Sequence, residues 1–184
     1  MTKVLCCGPS KSGKTSIATF LADPAATAIG SRDKPYDPTV GCRILEFEAR
    51  NGANIELWDV SGDQRYESCW PAITQGTGGN GDDSPVDGVI LVYNPEIPSH
   101  DTEVGLWYDQ FVKNAGIPDS KCLVFVHRVD PKGGYRTRAP PKLEGCTVHN
   151  TTFNSTMEIR EHFDNFMQTV KGGGRGGFGS GTRK

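Results

Sequence analysis

Short, unbroken apolar runs alternate along this chain with stretches whose apolar residues return every three or four positions. The runs "TKVLCC" at 2–7, "VDGVILVY" at 86–93 and "KCLVFVH" at 121–127 predict strands buried on both faces, and "GCTVHN" predicts one short strand more. Between them, "GKTSIATFLAD" carries Ile17, Ala18, Phe20 and Leu21 and predicts a helix that stops at Asp23-Pro24. "TEVGLWYDQFVKNAG" puts Val104, Trp107, Phe111 and Val112 on one helical face. "STMEIREHFDNFMQTV" does the same with Ile159, Phe163, Phe166 and Val170, opened by Ser155 and Glu158 in the spacing of a capping box. "DQRYESCWPAIT" predicts a short, irregular helix.

One segment has a different rhythm. "GCRILEFEARNGANIELWDVSG" reads as a hairpin with strands over 42–49 and 54–59, because Asn51-Gly52 favours positive φ at both turn positions. Strands alternating with helices imply an α/β domain. Its sheet is six-stranded and mostly parallel, with helices on both faces and one antiparallel edge from the hairpin. The connection "RVDPKGGYRTRAPPKLEG" leaves little room for a helix between Gly133-Gly134 and Pro140-Pro141, so the fourth helix region is expected to be shortened or absent. "PAATAIGSRDKPYDPT" at 24–39 has no period, and a loop of this length in a compact domain is often functional. "GTGGNGDDSP" predicts a surface loop. One domain over 1–170 is expected, followed by a glycine-rich tail over 171–184 that cannot bury a core and should be disordered.

Composition narrows the partners. A formal charge of −2 over 184 residues gives no electrostatic reason to expect nucleic acid or an acidic membrane. The six cysteines form no CxxC pair, and Cys6, Cys7, Cys122 and Cys146 lie in apolar, strand-like stretches, where small buried thiols are expected; a reducing compartment without a disulfide framework is expected.

The chemistry begins at "GPSKSGKT", residues 8–15. This GxxxxGKT run follows a predicted strand and precedes a predicted helix, the context in which such a loop cradles phosphates. Gly8, Ser10, Lys11, Ser12, Gly13, Lys14, Thr15 and Ser16 form the cradle: backbone N–H groups meet the β-phosphate, Lys14 bridges β and γ, and the Thr15 hydroxyl binds Mg²⁺. "WDVSG" ends a strand with Asp59, which can hold the metal through water, and Gly62, whose N–H can meet a γ-phosphate. Thr39 in "YDPTVG" can complete the metal shell. Alone, an Asp-x-x-Gly is an ordinary turn; the order of cradle, threonine, hairpin and Asp-x-x-Gly gives it weight.

That order resembles a Ras-type small GTPase, with "YDPT" as one of the family's effector-loop spellings. The resemblance implies a Ras-like fold, GTP or GDP with Mg²⁺ as cofactors, and Thr15, Thr39 and Asp59 at the metal. The family's base-reading motif is Asn-Lys-x-Asp, and "VHRVD" departs from it. His127 replaces the asparagine and Arg128 the lysine, while Asp130 remains to accept from guanine N1–H and the N2 amine. Arg128 can still stack on a base, and His127 is either a base contact or a plain strand-end residue. The family's last base loop has a loose echo around Asn150, Thr151 and Thr152, with Thr151 as the candidate contact. Hydrolysing members carry a glutamine after the Asp-x-x-Gly and a glycine third in the cradle. Here Asp63 follows Gly62, Gln64 comes one place later, and Ser10 is the third cradle residue. Asp63 and Gln64 are therefore the candidate catalytic residues of a GTPase expected to be slow or inactive.

"GCRILEFE", "ELWDVSGD", "ESCWPAI", "VYNPEIPSH" and "LWY" are similar to the Rab-like GTPase subunits of intraflagellar transport complex B, the Rab-like protein 5 family, from about Val4 to Val170. The resemblance implies a subunit of the trains that move along cilia and flagella, found in cytoplasm and cilium, docked on coiled-coil subunits of that complex and monomeric outside it. Rabs end in prenylated cysteines, whereas no cysteine follows Cys146, so no such lipid anchor is expected. Tyr66 and Trp70 are the candidate partner-binding aromatics; the alternative is that Trp70 packs inside. A nucleotide-dependent adaptor and a true cycling GTPase both fit. The single RGG unit of the tail is thin support for RNA binding, and no second catalytic carboxylate supports phosphoryl transfer.

Overall fold

The structure is a computed structural model that describes residues 1–25, 37–75, 85–128 and 138–172. Six strands form one sheet in the order β2-β3-β1-β4-β5-β6. They are β1 (Thr2–Cys7), β2 (Cys42–Glu48), β3 (Asn54–Val60), β4 (Gly88–Tyr93), β5 (Cys122–Arg128) and β6 (Thr147–Thr152). Every neighbouring pair is parallel except β2 with β3. This is the mostly parallel sheet with one antiparallel edge that the sequence predicts.

The helices are α1 (Lys14–Ala22), α2 (Trp70–Gln75), α3 (His100–Tyr108) and α4 (Thr156–Gly172). A 3₁₀ segment, Gln64–Cys69, leads into α2, and α3 continues as a wide π-turn over Asp109–Lys113. Central strands are apolar throughout because helices cover both faces. On β1, Val4 and Cys6 join one core cluster with Ile17 and Leu21 of α1 and Ile159, Phe163 and Met167 of α4. Leu5 and Cys7 point the other way, into a cluster with Trp70, Ile73, Trp107 and Phe111. Edge strand β2 has no fully buried residue, as one-sided cover dictates. Among the described residues no helix is long and apolar enough to cross a membrane.

Four expectations change. The hairpin turn is built on Ala49–Gly52, closed by Gly52 N–H donating to Ala49 O at 2.8 Å. Gly52 alone takes positive φ, at 74°, while Asn51 uses its side chain to accept the Ala53 N–H at 3.1 Å. A type I turn with a left-handed glycine thus replaces the two-residue turn expected at Asn51-Gly52. The capping box at Ser155 is not the device that opens the last helix. A 3₁₀ turn over Phe153–Ser155 comes first, with the Thr152 hydroxyl accepting the Asn154 N–H. Cys146 is only half-buried, unlike Cys6, Cys7 and Cys122.

The fourth change concerns Trp70. Its ring is 7% exposed and packs 4.8 Å from Trp107 and 5.3 Å from Phe111, so it belongs to the core and not to an exposed partner-binding face. A large aromatic gains most from such enclosure. Tyr66 is half-buried. Of the "RVDPKGGYRTRAPPKLEG" connection, the described part holds a single 3₁₀ turn, Pro141–Leu143. The tail lies outside the described residues from 173 onward; Lys171 and Gly172 are the last residues of α4.

Candidate functional site

Parallel strands share one carboxyl edge, and in open α/β sheets that edge is where ligands bind. Here it gathers the ends of β1, β3, β4, β5 and β6, and with them most of the residues singled out by motif. The cradle leaves β1 at Gly8 and enters α1 at Lys14. Gly8 sits directly against the Val92 carbonyl of β4, where any side chain would collide with backbone. Gly13 caps α1 with φ 92°, and a Cβ there would lie 2.7 Å from His127 Cδ2. Lys11 also takes positive φ, at 63°, uniquely among the described non-glycine residues.

Lys14 is 6% exposed. Its Nζ donates to the Pro9 carbonyl at 2.7 Å and lies 3.5 Å from Ser12 Oγ. Burial lowers its pKa, opposed by nearby Cys6, Asp59 and Cys7. Gly62 lies over the same point, against Ser10 and Lys14. An ammonium and the N-terminus of α1 meet there, which suits an anion.

The three predicted metal ligands come together. Thr15 Oγ1 and Thr39 Oγ1 are 2.9 Å apart, and Thr39 Oγ1 donates to Asp59 Oδ2 at 3.3 Å. Asp59 is fully buried at the end of β3. Burial raises its pKa, while hydroxyls from Thr15 and Thr39 and the charges of Lys14 and Arg43 pull it down. Its Oδ1 has no hydrogen-bond partner among the described residues. Two hydroxyls and a carboxylate with one uncommitted oxygen are hard ligands of the kind Mg²⁺ takes directly or through water. The donor set therefore fits that ion.

Sequence reasoning missed Arg43. It stands opposite Asp59 in the β2–β3 register, with Nη2 3.6 Å from Asp59 Oδ2 and 2.8 Å from Thr19 Oγ1. Counting back from the expected Asn51-Gly52 turn would have put Ile44 opposite Asp59; the turn over Ala49–Gly52 shifts the register by one and brings Arg43 there.

Asp63 turns to Arg65. Its Oδ1 accepts the Arg65 N–H at 3.0 Å, and its Oδ2 accepts from Nε at 2.8 Å and Nη2 at 2.6 Å. These contacts hold its carboxyl below the usual range. Gln64 is exposed at the start of the 3₁₀ segment.

Beyond the cradle, His127 ends β5 in register with Thr151 of β6, and its Nδ1 lies 3.1 Å from Thr151 Oγ1. The ring is wholly buried and edge-on to Phe153, with centroids 4.9 Å apart. Nε2 has no partner among the described residues, and burial pushes the imidazole pKa down to about 4. Arg128 follows, paired in register with Thr152. Asp130, the expected base reader, lies outside the described residues.

Comparison with known proteins gives consistent relatives. No protein-family model matches the chain. It is 36% identical over 180 residues to the intraflagellar transport protein 22 homolog of Danio rerio, covering 91% of this chain and 89% of that protein. The GDP-bound crystal structure of T. brucei IFT22 superposes with a TM-score of 0.69 at 30% identity, covering 94% of this chain and 97% of that one. The GTP-bound T. brucei IFT22/74/81 crystal structure gives a TM-score of 0.68 at 32% identity, covering 92% and 94%.

Proposed function

The chain belongs to the intraflagellar transport protein 22 family of Rab-like small GTPases, and on that premise we propose that it binds GTP or GDP with Mg²⁺ and works as an adaptor subunit of intraflagellar transport complex B in cilia or flagella. The observation that carries the nucleotide reading is the convergence of Lys14, Thr15, Thr39 and Asp59 on the carboxyl edge of the sheet. Lys14 and the cradle N–H groups of residues 8–16 hold the phosphates. Thr15, Thr39 and Asp59 hold Mg²⁺, which when bound neutralises phosphate charge. At the far end Arg128 stacks on the base, Asp130 accepts from guanine N1–H and N2, and His127 and Thr151 shape the pocket wall.

The relative solved with two further subunits, IFT22/74/81, supports docking on subunits of the same complex. The partners are coiled coils, and Tyr66 contributes from the 3₁₀ segment beside Asp63. Outside the complex the protein is a monomer.

Hydrolysis is slow or absent. A glutamine orients the attacking water by both donating and accepting. Asp63 can only accept, and both its oxygens are committed to Arg65. Ser10 adds a side chain where an incoming arginine would pass.

The deciding experiment titrates GTP, GDP and ATP with Mg²⁺ into the protein, with and without the partner subunits. Guanine nucleotides bind and ATP does not, and GTP tightens partner binding by the factor by which the partner tightens GTP. Equal affinity for ATP would remove the base reading. Turnover faster than that of ordinary unassisted small GTPases, abolished in Asp63→Ala, would remove the claim of slow hydrolysis.

A further inference from the structure

Helix α1 carries two hydroxyls one turn apart on the same face, Thr15 and Thr19. Each meets a side chain from the stretch that enters β2. Thr15 Oγ1 lies 2.9 Å from Thr39 Oγ1, and Thr19 Oγ1 accepts from Arg43 Nη2 at 2.8 Å. The same stretch is tied to the end of β3, where the Gly41 carbonyl accepts the Ser61 N–H at 2.8 Å. Held in this way, Thr39 and Arg43 arrive at one atom. Thr39 Oγ1 donates to Asp59 Oδ2 at 3.3 Å, and Arg43 Nη2 stands 3.6 Å from that oxygen. Oδ1 of the same carboxylate has no hydrogen-bond partner among the described residues.

The two oxygens of Asp59 therefore differ. Oδ2 has a hydroxyl and a guanidinium beside it, while Oδ1 is uncommitted. A buried carboxylate is costly unless a positive charge compensates it, and Asp59 is fully buried. Lys14, the other cation nearby, gives its ammonium to the Pro9 carbonyl. Arg43 is thus a counter-charge, carried by the protein itself, for the aspartate proposed to hold Mg²⁺. An arginine stays protonated at any working pH, so this charge is permanent. It has two effects on a cation beside Asp59. It supplies part of the compensation in advance, and it repels a second positive charge. We infer that Arg43 is a positioning residue of the metal site, acting through Asp59, and that it loosens the dependence of bound nucleotide on Mg²⁺. This rests on the nucleotide reading above.

The Arg43 side chain is 44% exposed, so its field is open to screening by salt. That separates a role in charge from a merely structural tie between β2 and α1, which added salt would leave as it is.

Release of a fluorescent GDP analogue, followed across Mg²⁺ concentrations from excess chelator to saturation and paired with thermal melting, tests the inference. Arg43→Gln keeps a polar side chain and removes the charge; Arg43→Lys keeps the charge. Chelator should speed release only modestly in wild type and much more in Arg43→Gln. The Mg²⁺ concentration that half-restores retention should fall roughly five-fold in Arg43→Gln. Arg43→Lys should stay close to wild type, and the gap between wild type and Arg43→Gln should narrow as ionic strength rises toward about 1 M. A folded Arg43→Gln with the wild-type midpoint overturns the inference, as does one that weakens retention equally with and without Mg²⁺. Should Arg43→Gln not fold, Arg43→Met, which restores the apolar stem, decides by the same midpoint. The two levels separate cleanly. If wild type does not retain the analogue at saturating Mg²⁺, the nucleotide reading fails; if it does and the charge-removing variant is unchanged, only the role of Arg43 fails.

Discussion

The proposed phosphate end and the proposed base end of the site are held in different ways. At the phosphate end polar groups satisfy one another: Lys14 reaches the Pro9 carbonyl, Thr15 meets Thr39, and Thr39 meets Asp59. At the base end the wall is a buried imidazole fixed by packing against Gly13 and Phe153 and by one contact with Thr151. The first arrangement keeps the residue types its motif demands, because Mg²⁺ and phosphate tolerate few substitutes. The second departs from the motif: His127 stands in place of asparagine, held by packing and by its one contact with Thr151. The two ends touch at Gly13, which lies against His127.

The largest effect should come from the phosphate end. Lys14→Ala removes a buried charge whose proposed partner is phosphate, and Mg-GDP affinity should fall by about 100-fold or more in a calorimetric titration. Next comes the junction. Gly13→Ala places a Cβ at 2.7 Å from His127 Cδ2 on a backbone with φ 92°. It should cost about 2–3 kcal/mol in denaturant unfolding. Adding His127→Ala should restore part of that loss, since the two positions share one space. Additive losses would mean the ends are independent.

The base end carries its own signature in acid. The folded pKa of His127 is about 4, below the ordinary 6.5. Between those values the unfolded chain binds more protons, so stability rises with pH. The contribution is complete above about pH 6.5 and is lost as pH falls toward 4, at up to about 1.4 kcal/mol per pH unit. His100 and His149 are also shifted down, so the measurement is the difference in slope between wild type and His127→Asn. Equal slopes would deny His127 its neutral, packed role. The smallest effect belongs to Arg65→Ala. The Asp63–Arg65 pair is exposed, so melting should not change measurably, while the Asp63 carboxyl returns toward its ordinary pKa in an NMR titration.

The sheet was legible because β1, β4 and β5 are continuous apolar runs, and the cradle because its spacing fixes strand, loop and helix together. Thr39 and Asp59 were legible through their order along the chain. Trp70 was not: an aromatic in an irregular helix carries no period that tells core from surface, and its burial depends on Trp107 and Phe111 arriving from α3. Arg43 was missed for a related reason: it acts across a long separation, and only the folded register puts it beside Asp59. The hairpin turn shows the limit of dipeptide rules, since Asn-Gly supplied a side-chain acceptor and one left-handed residue in place of two.

The contact of Gly8 with the Val92 carbonyl has a kinetic consequence. A cradle that rests on the backbone of the central sheet is built before its ligand arrives. Capture then waits only for an encounter in the right orientation and not for a loop to order, so rates of association should differ little among nucleotides. Discrimination between them is left to how long each one stays.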